Sequence, residues 1–251
     1  MELRLPHLPG ELEGMRILHL SDLHVRSPRR RHEQILQAVG HESYDLLALT
    51  GDSMVEKGDE PAAADLLVKL VRAAGGRAKA GVMGVWGNHD TPELRRRLAA
   101  VPIRWLVNTA WVSRELPLSI LGVDCGYDEH HGLSGDLAGA LLDEAQQVPD
   151  VRPRLRLFLT HMPIWLPAAS AAGVDLMLCG HTHAGQCRLP TGHILYNATP
   201  KWPLSMSAGL LQWGTTQCLI SRGLGEVYVT GLRLFCQPQM PLITLRRQQP
   251  E

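Results

Sequence analysis

Five short polar clusters hold the residue types that could do chemistry: Asp22-Leu23-His24, Gly51-Asp52, Gly87-Asn88-His89-Asp90, Thr160-His161 and Gly180-His181-Thr182-His183. Asp and Asn offer oxygen and His offers nitrogen, a donor set for hard-to-borderline divalent cations that needs no thiolate. The single intervening residue in Asp22-x-His24 and His181-x-His183 puts both side chains on one side of an extended loop. Two cations roughly 3.5–4 Å apart need a shared carboxylate and a bridging water. Asp52 is the natural bridge, because it stands alone behind a glycine that lets the turn close. The chain has 12 histidines, several within two residues of an Asp, Asn or another His, which points to a metal site rather than a charged surface.

Each cluster follows a short apolar run. Ile17–Leu20, Leu46–Leu49, Val82–Trp86, Leu155–Leu159 and Val174–Leu178 read as buried strands, with Ser119–Val123 as another. Helices are expected over about 31–42, 60–74 and 135–147, where apolar residues recur at helical spacing. Thr91-Pro92 is a helix start, with Thr as N-cap and Pro at the first helical position. The tail adds β-like pieces at 217–221, 226–229 and 242–245. Alternating strands and helices imply a sheet covered on both faces, and the late strands suggest a second sheet stacked on it. Sites in such α/β folds collect at the carboxyl ends of strands, where the five clusters lie.

Composition narrows the function. The 251 residues, without repeat or linker, are expected to form one domain over 1–251. Lys+Arg and Asp+Glu are 25 each, so bulk nucleic-acid binding by cationic excess is not expected. The five cysteines form no C-x-x-C pair, which fits a reducing compartment and gives no thiolate zinc knuckle. There is no signal-like start and no apolar run of spanning length, so a cytoplasmic protein is expected, with peripheral membrane contact left open.

The ordered pattern D-x-H, G-D, G-N-H-D, lone His and G-H-x-H, over about residues 15–190, resembles the calcineurin-like metallophosphoesterase superfamily. Leu121–Asp124, Gly180–Gln186, Ser221–Gly225, Arg233–Phe235 and Leu242–Leu245 extend the likeness to the YaeI/YkuE-type bacterial phosphodiesterases. The resemblance implies a four-layer α/β/β/α sandwich of two mixed sheets, holding two divalent metal ions. It matches Asp22, His24 and His183 to one metal, Asp52 to the bridge, and Asn88, His161 and His181 to the second. His89 matches a histidine that faces the phosphate without binding metal. The implied reaction is in-line attack on phosphorus by a metal-bridging hydroxide, with Asn88 and His89 as catalytic groups. Manganese heads the expected metals, and iron and zinc also suit the ligands. The expected substrate is a small phosphate ester, a lipid or nucleotide part being left open. A phosphodiester comes first. A pyrophosphate of a nucleotide-linked lipid, such as UDP-diacylglucosamine, is the alternative, ahead of a nuclease or a binding module that has lost turnover.

Two positions depart from the pattern. Related sequences often carry Asp three residues after the bridge to orient the second histidine. Here Val55 stands there, leaving Asp90 and Glu56 as candidates to orient His89. Ala184 replaces the first glycine of G-H-T-H-G-G-Q. Among the remaining candidates, Arg26, Arg29, Arg30 and Arg31 read as a solvated helix start. His7, His19, His32, His41 and His193 read as structural, His130-His131 as an exposed loop pair, and Trp165 and Trp202 as packing residues.

Overall fold

The computed structural model describes residues 1–125, 135–148, 153–195, 202–227 and 231–248; His130 and His131 lie outside them. One sheet is built from β1 (Glu2–Leu5), β2 (Arg16–Leu20), β3 (Leu46–Thr50), β4 (Gly81–Val85), β5 (Arg104–Trp105) and β12 (Leu242–Arg247), in the order β1-β12-β2-β3-β4-β5. The other holds β6 (Thr109–Val112), β7 (Leu118–Gly122), β8 (Leu155–Leu159), β9 (Leu176–Cys179), β10 (Gly209–Trp213) and β11 (Thr216–Ile220), in the order β10-β11-β9-β8-β7-β6. Strands β2, β3, β4 and β5 run parallel, as do β7, β8, β9 and β11. The second strand layer expected from the tail is instead mostly mid-chain. The last strand returns to the first sheet, antiparallel to β2 and parallel to β1. Of the strand expected at 226–229, Glu226 and Val227 are irregular and the rest lies outside the described residues.

The apolar runs explain the layering. Alternate residues of a strand face opposite sides, so a strand apolar on both faces must be covered on both. Ile17, Leu46, Ala48 and Met83 of the first sheet meet Ile120, Leu157, Leu159 and Leu178 of the second in one buried core. Their neighbours Leu18, Leu47 and Leu49 point outward onto α1 (Arg30–His41), α2 (Glu60–Ala74) and α3 (Pro92–Arg97). Phe158, Met177 and Cys179 point outward onto α4 (Leu137–Gln147) and α5 (Leu166–Ala171). The result is the expected α/β/β/α sandwich. Thr91 caps α3 by accepting from Leu94 N at 3.2 Å, and Asp136 caps α4 by accepting from Gly139 N at 2.8 Å. The second cap starts that helix two residues later than the periodicity suggested.

Candidate metal centre

Parallel strands bring their carboxyl ends to one edge of each sheet, and stacking the sheets brings the two edges together. Loops after β2, β3 and β4 supply Asp22, His24, Asp52, Asn88 and His89; loops after β8 and β9 supply His161, His181 and His183. A hydrogen bond from His161 Nδ1 to the Thr50 carbonyl, 2.7 Å, ties the sheets across the site.

The donor atoms converge. His183 Nε2 lies 3.3 Å from Asp22 Oδ1 and 3.0 Å from His24 Nε2. Asp52 Oδ2 lies 3.0 Å from His161 Nε2 and 3.6 Å from His24 Nε2. His181 Nδ1 lies 3.2 Å from His161 Nε2. Asp22–His24–His183 and Asp52–His161–His181 each form a group whose donor atoms lie within 4.8 Å of one another. His24 and Asp52 also group with His89. One carboxylate, Asp52, therefore faces both halves of the cluster.

The proton inventory shows what such a cluster requires. His24 Nδ1 donates to Met54 O at 3.1 Å and His161 Nδ1 donates to Thr50 O, so both Nε2 atoms point lone pairs inward in the neutral rings. Each faces another electron-rich atom, an arrangement that needs positive charge between the atoms. The protein by itself meets part of that need with protons. Burial works against charge on His161, but the Asp52 carboxylate outweighs it and raises the imidazole to about 9. Burial works against charge on Asp52 too, yet His161 and His89 hold it well below the usual carboxylate range. Burial pushes His24 down to about 4 and His181 to about 3, and raises Asp22 to about 6. The Asn88 Oδ1 atom is buried with no hydrogen-bond partner. An orphaned acceptor beside inward-facing lone pairs fits a cation pair held by these residues.

The backbone is bent to achieve this. Asp22, His24, Asp52, His181 and His183, five of the seven expected metal ligands, have positive φ between 42° and 68°. Non-glycine residues adopt that region at a cost of order 1 kcal/mol each, and such strain gathers where a site must be pre-formed. Ala184, at φ 55°, shows why a glycine usually stands there. Asp90 holds the bend at Asp52: its carboxylate accepts from Asp52 N at 3.0 Å, Ser53 N at 2.7 Å and Gly87 N at 2.8 Å. Gly87 must lack a side chain, since a Cβ there would collide with the Asp52 carboxylate.

The sequence misassigned one role. Neither Asp90 nor Glu56 orients His89. Asp90 is committed to backbone amides and Glu56 pairs with Arg26. His89 Nδ1 instead donates to the carbonyl of Val55, at 2.6 Å. A backbone carbonyl does the work of the missing carboxylate, and no side-chain pattern announces one. Burial opposes charge on His89, but Asp52 and the Val55 carbonyl together raise its pKa above the ordinary value. Arg233 was also missed: its Nη2 lies 3.3 Å from His183 Nδ1 and donates to the carbonyls of Arg222 and Gly225, fastening the C-terminal loops to the centre. Arg29 and Arg31 pair with Glu226, and Trp202 is packed, its Nε1 donating to Met206 O at 2.7 Å.

A family model for the calcineurin-like phosphoesterases matches residues 15–185, a span that contains every one of these ligands. The chain belongs to the calcineurin-like phosphoesterase family. As a member it is a metal-dependent phosphoester hydrolase. It is 26% identical over 235 residues to the metallophosphoesterase YkoQ of Bacillus subtilis (strain 168), covering 90% of this chain and 82% of YkoQ. It is 24% identical over 253 residues to YkuE of the same organism, covering 95% of this chain and 82% of YkuE. Over 90 residues it is 38% identical to the phosphodiesterase YaeI of Escherichia coli (strain K12), a stretch covering 36% of this chain and 32% of YaeI. Among the described residues no helix is long and apolar enough to cross a membrane.

Proposed function

We propose that this phosphoesterase is a dinuclear phosphodiesterase, with Asp22, His24 and His183 holding one divalent cation, Asn88, His161 and His181 the other, and Asp52 shared. The observation that carries the reading is the Asp52 carboxylate, whose Oδ2 faces His161 on one side and His24 on the other. When bound, the cations supply Lewis acidity that makes hydroxide available near neutral pH and neutralises charge building on the phosphoryl oxygens. The chain's residues do the rest. Asn88 would help hold a cation through Oδ1 and would offer its amide N–H to a non-bridging phosphate oxygen. His89 keeps a proton on Nδ1 for Val55 O, leaving Nε2 to carry the second proton to the departing alkoxide. A pKa above the ordinary value favours that protonated form near neutral pH.

Hydrolysis of bis(p-nitrophenyl) phosphate by manganese-loaded protein tests the reading, with loss expected in Asp52→Asn and His89→Ala. No metal-stimulated turnover on any mono-, di- or pyrophosphate ester would defeat it. A pyrophosphohydrolase of a nucleotide-linked lipid is the second reading. It requires an apolar surface near the centre, and Leu189, Leu234 and Phe235 are exposed on segments that hydrogen-bond to the loop at 184–186.

A further inference from the structure

Beyond β9, the second sheet carries a cavity of about 610 Å³ that the metal ligands do not use. It opens between the hairpin at 187–195, the segment at 204–209 and Arg222, two residues past the end of β11. Two guanidiniums, Arg188 and Arg222, stand in its wall, together with His193 and Ser205, and Ile194 and Leu204 are among its apolar residues. No carboxylate lines it among the described residues, in a chain whose acids equal its Lys and Arg at 25 each. The larger cavity at the other end of the strands, about 940 Å³, sets Arg104 and Arg114 beside Glu11, Glu13 and Glu115 and so has no such one-sided charge.

Both cations lack a counter-charge. Arg188 pairs with Ile194 across an antiparallel bridge, so their side chains share a face, and both line the cavity. Arg188 Nε donates to Ala184 O at 2.7 Å, and its terminal nitrogens have no partner among the described residues. Arg222 is held by its backbone: its N donates to Gln239 Oε1 at 3.3 Å and its O accepts from Arg233 Nη2 at 2.9 Å. The Arg222 guanidinium has no ion pair or hydrogen bond among the described residues. Glu226, the nearest acid to Arg222 in sequence, is taken up by Arg29 and Arg31. Two half-buried guanidiniums facing one cavity without an acid call for an anion between them.

The cavity adjoins one half of the metal centre. Ala184, which anchors Arg188, directly follows His183. Gly223, which follows Arg222, lies so close to Asp22 that a Cβ there would sit 2.7 Å from the Asp22 Cβ. Arg233, which donates to Arg222 O, also lies 3.3 Å from His183 Nδ1.

We propose that this cavity is a subsite for a second phosphate on the substrate, a terminal phosphomonoester joined to the scissile diester by a carbon spacer. A phosphomonoester carries nearly two negative charges at neutral pH and three acceptor oxygens, which suits two guanidiniums better than a carboxylate does. Ile194 and Leu204 give the spacer an apolar wall. This is not a pyrophosphate, whose phosphorus atoms share one oxygen and leave no spacer. The inference rests on the phosphodiesterase reading for the place of the scissile bond, and on the cavity alone for the second anion.

Calorimetric titration of the manganese-loaded full chain tests it with bisphosphates of straight-chain α,ω-diols, about three to eight carbons long. Alkyl monophosphates and ω-phosphoalkanoates of matched length are the controls. At the spacer that spans the gap, the bisphosphate binds at least about tenfold more tightly than either control, the factor expected of hydrogen bonds between charged groups. Arg222→Gln and, on the other wall, Arg188→Gln each remove that preference, and Arg222→Lys retains part of it. Equal affinity for mono- and bisphosphate at every length would overturn the proposal. So would an ω-carboxylate that binds as tightly as the ω-phosphate, or a preference that survives in both Gln variants. Binding is read without turnover, so a protein inactive on bis(p-nitrophenyl) phosphate leaves the result standing. An active phosphodiesterase with no preference for the second phosphate refutes the subsite alone.

Discussion

Truncating Asn88 to alanine is expected to act in opposite directions with and without metal. The Oδ1 atom of Asn88 is buried, and no protein donor reaches it. An acceptor left unpaired inside a protein costs about 1–3 kcal/mol, and the unfolded chain, hydrated there, does not bear that cost. In chelator, Asn88→Ala therefore stabilises the fold by about 2 kcal/mol. For a chain of this size each kcal/mol moves the midpoint by about 2–4 °C, so Tm rises by roughly 4–8 °C. Saturating manganese stabilises the wild type through binding to the folded state. A hundredfold weaker affinity in the variant removes about 2.7 kcal/mol of that linkage, which exceeds the gain. The variant then melts below the wild type. Thermal unfolding of both proteins by circular dichroism, in chelator and in manganese, reads the crossing. A variant that is destabilised in both conditions, or stabilised in both, refutes the assignment of Oδ1 to a cation.

Three further outcomes follow from the geometry. Asp90→Ala strands three buried amide donors, at Asp52, Ser53 and Gly87, and is expected to cost at least about 3 kcal/mol in urea unfolding of the chelated protein; a loss under roughly 1 kcal/mol would show that water replaces the carboxylate. His89→Gln is expected to lower kcat by about 10²–10⁴ while metal content by elemental analysis stays at the wild-type value; a fall in bound metal would make His89 a ligand instead. His161, raised to about 9, is protonated at neutral pH in the metal-free protein and must be neutral to bind a cation. Metal binding at pH 7 therefore releases a proton, which calorimetry in two buffers of different ionisation heat detects as a difference in apparent enthalpy. The same shift stabilises the metal-free fold below the unfolded pKa of 6.5, and that contribution fades as pH rises through about 9.

The residue types and spacing of the five clusters, and the apolar runs before them, made much of this protein legible in one dimension. Strand period and loop chemistry are local properties, so each strand and its polar tip were visible before any pairing was known. The Pro at the start of α3 and the aliphatic stripe of α2 are local in the same sense. Other features were decided only by packing. The strand at 242–247 inserts between β1 and β2 because its alternate residues complete the core there, a preference that its own sequence does not distinguish from membership of the other sheet. Short edge strands such as β5 and β6 have too few residues for a period. The partner of His89 is a carbonyl, identical in every residue, so only the approach of the Val55 backbone could reveal it. Asp90 was a candidate to orient His89 until three amides were seen to occupy it. Which atoms could hold a metal was written in the side chains; how they are bent, oriented and crowded together depends on contacts between residues far apart in the chain, and those exist only once the two sheets have stacked.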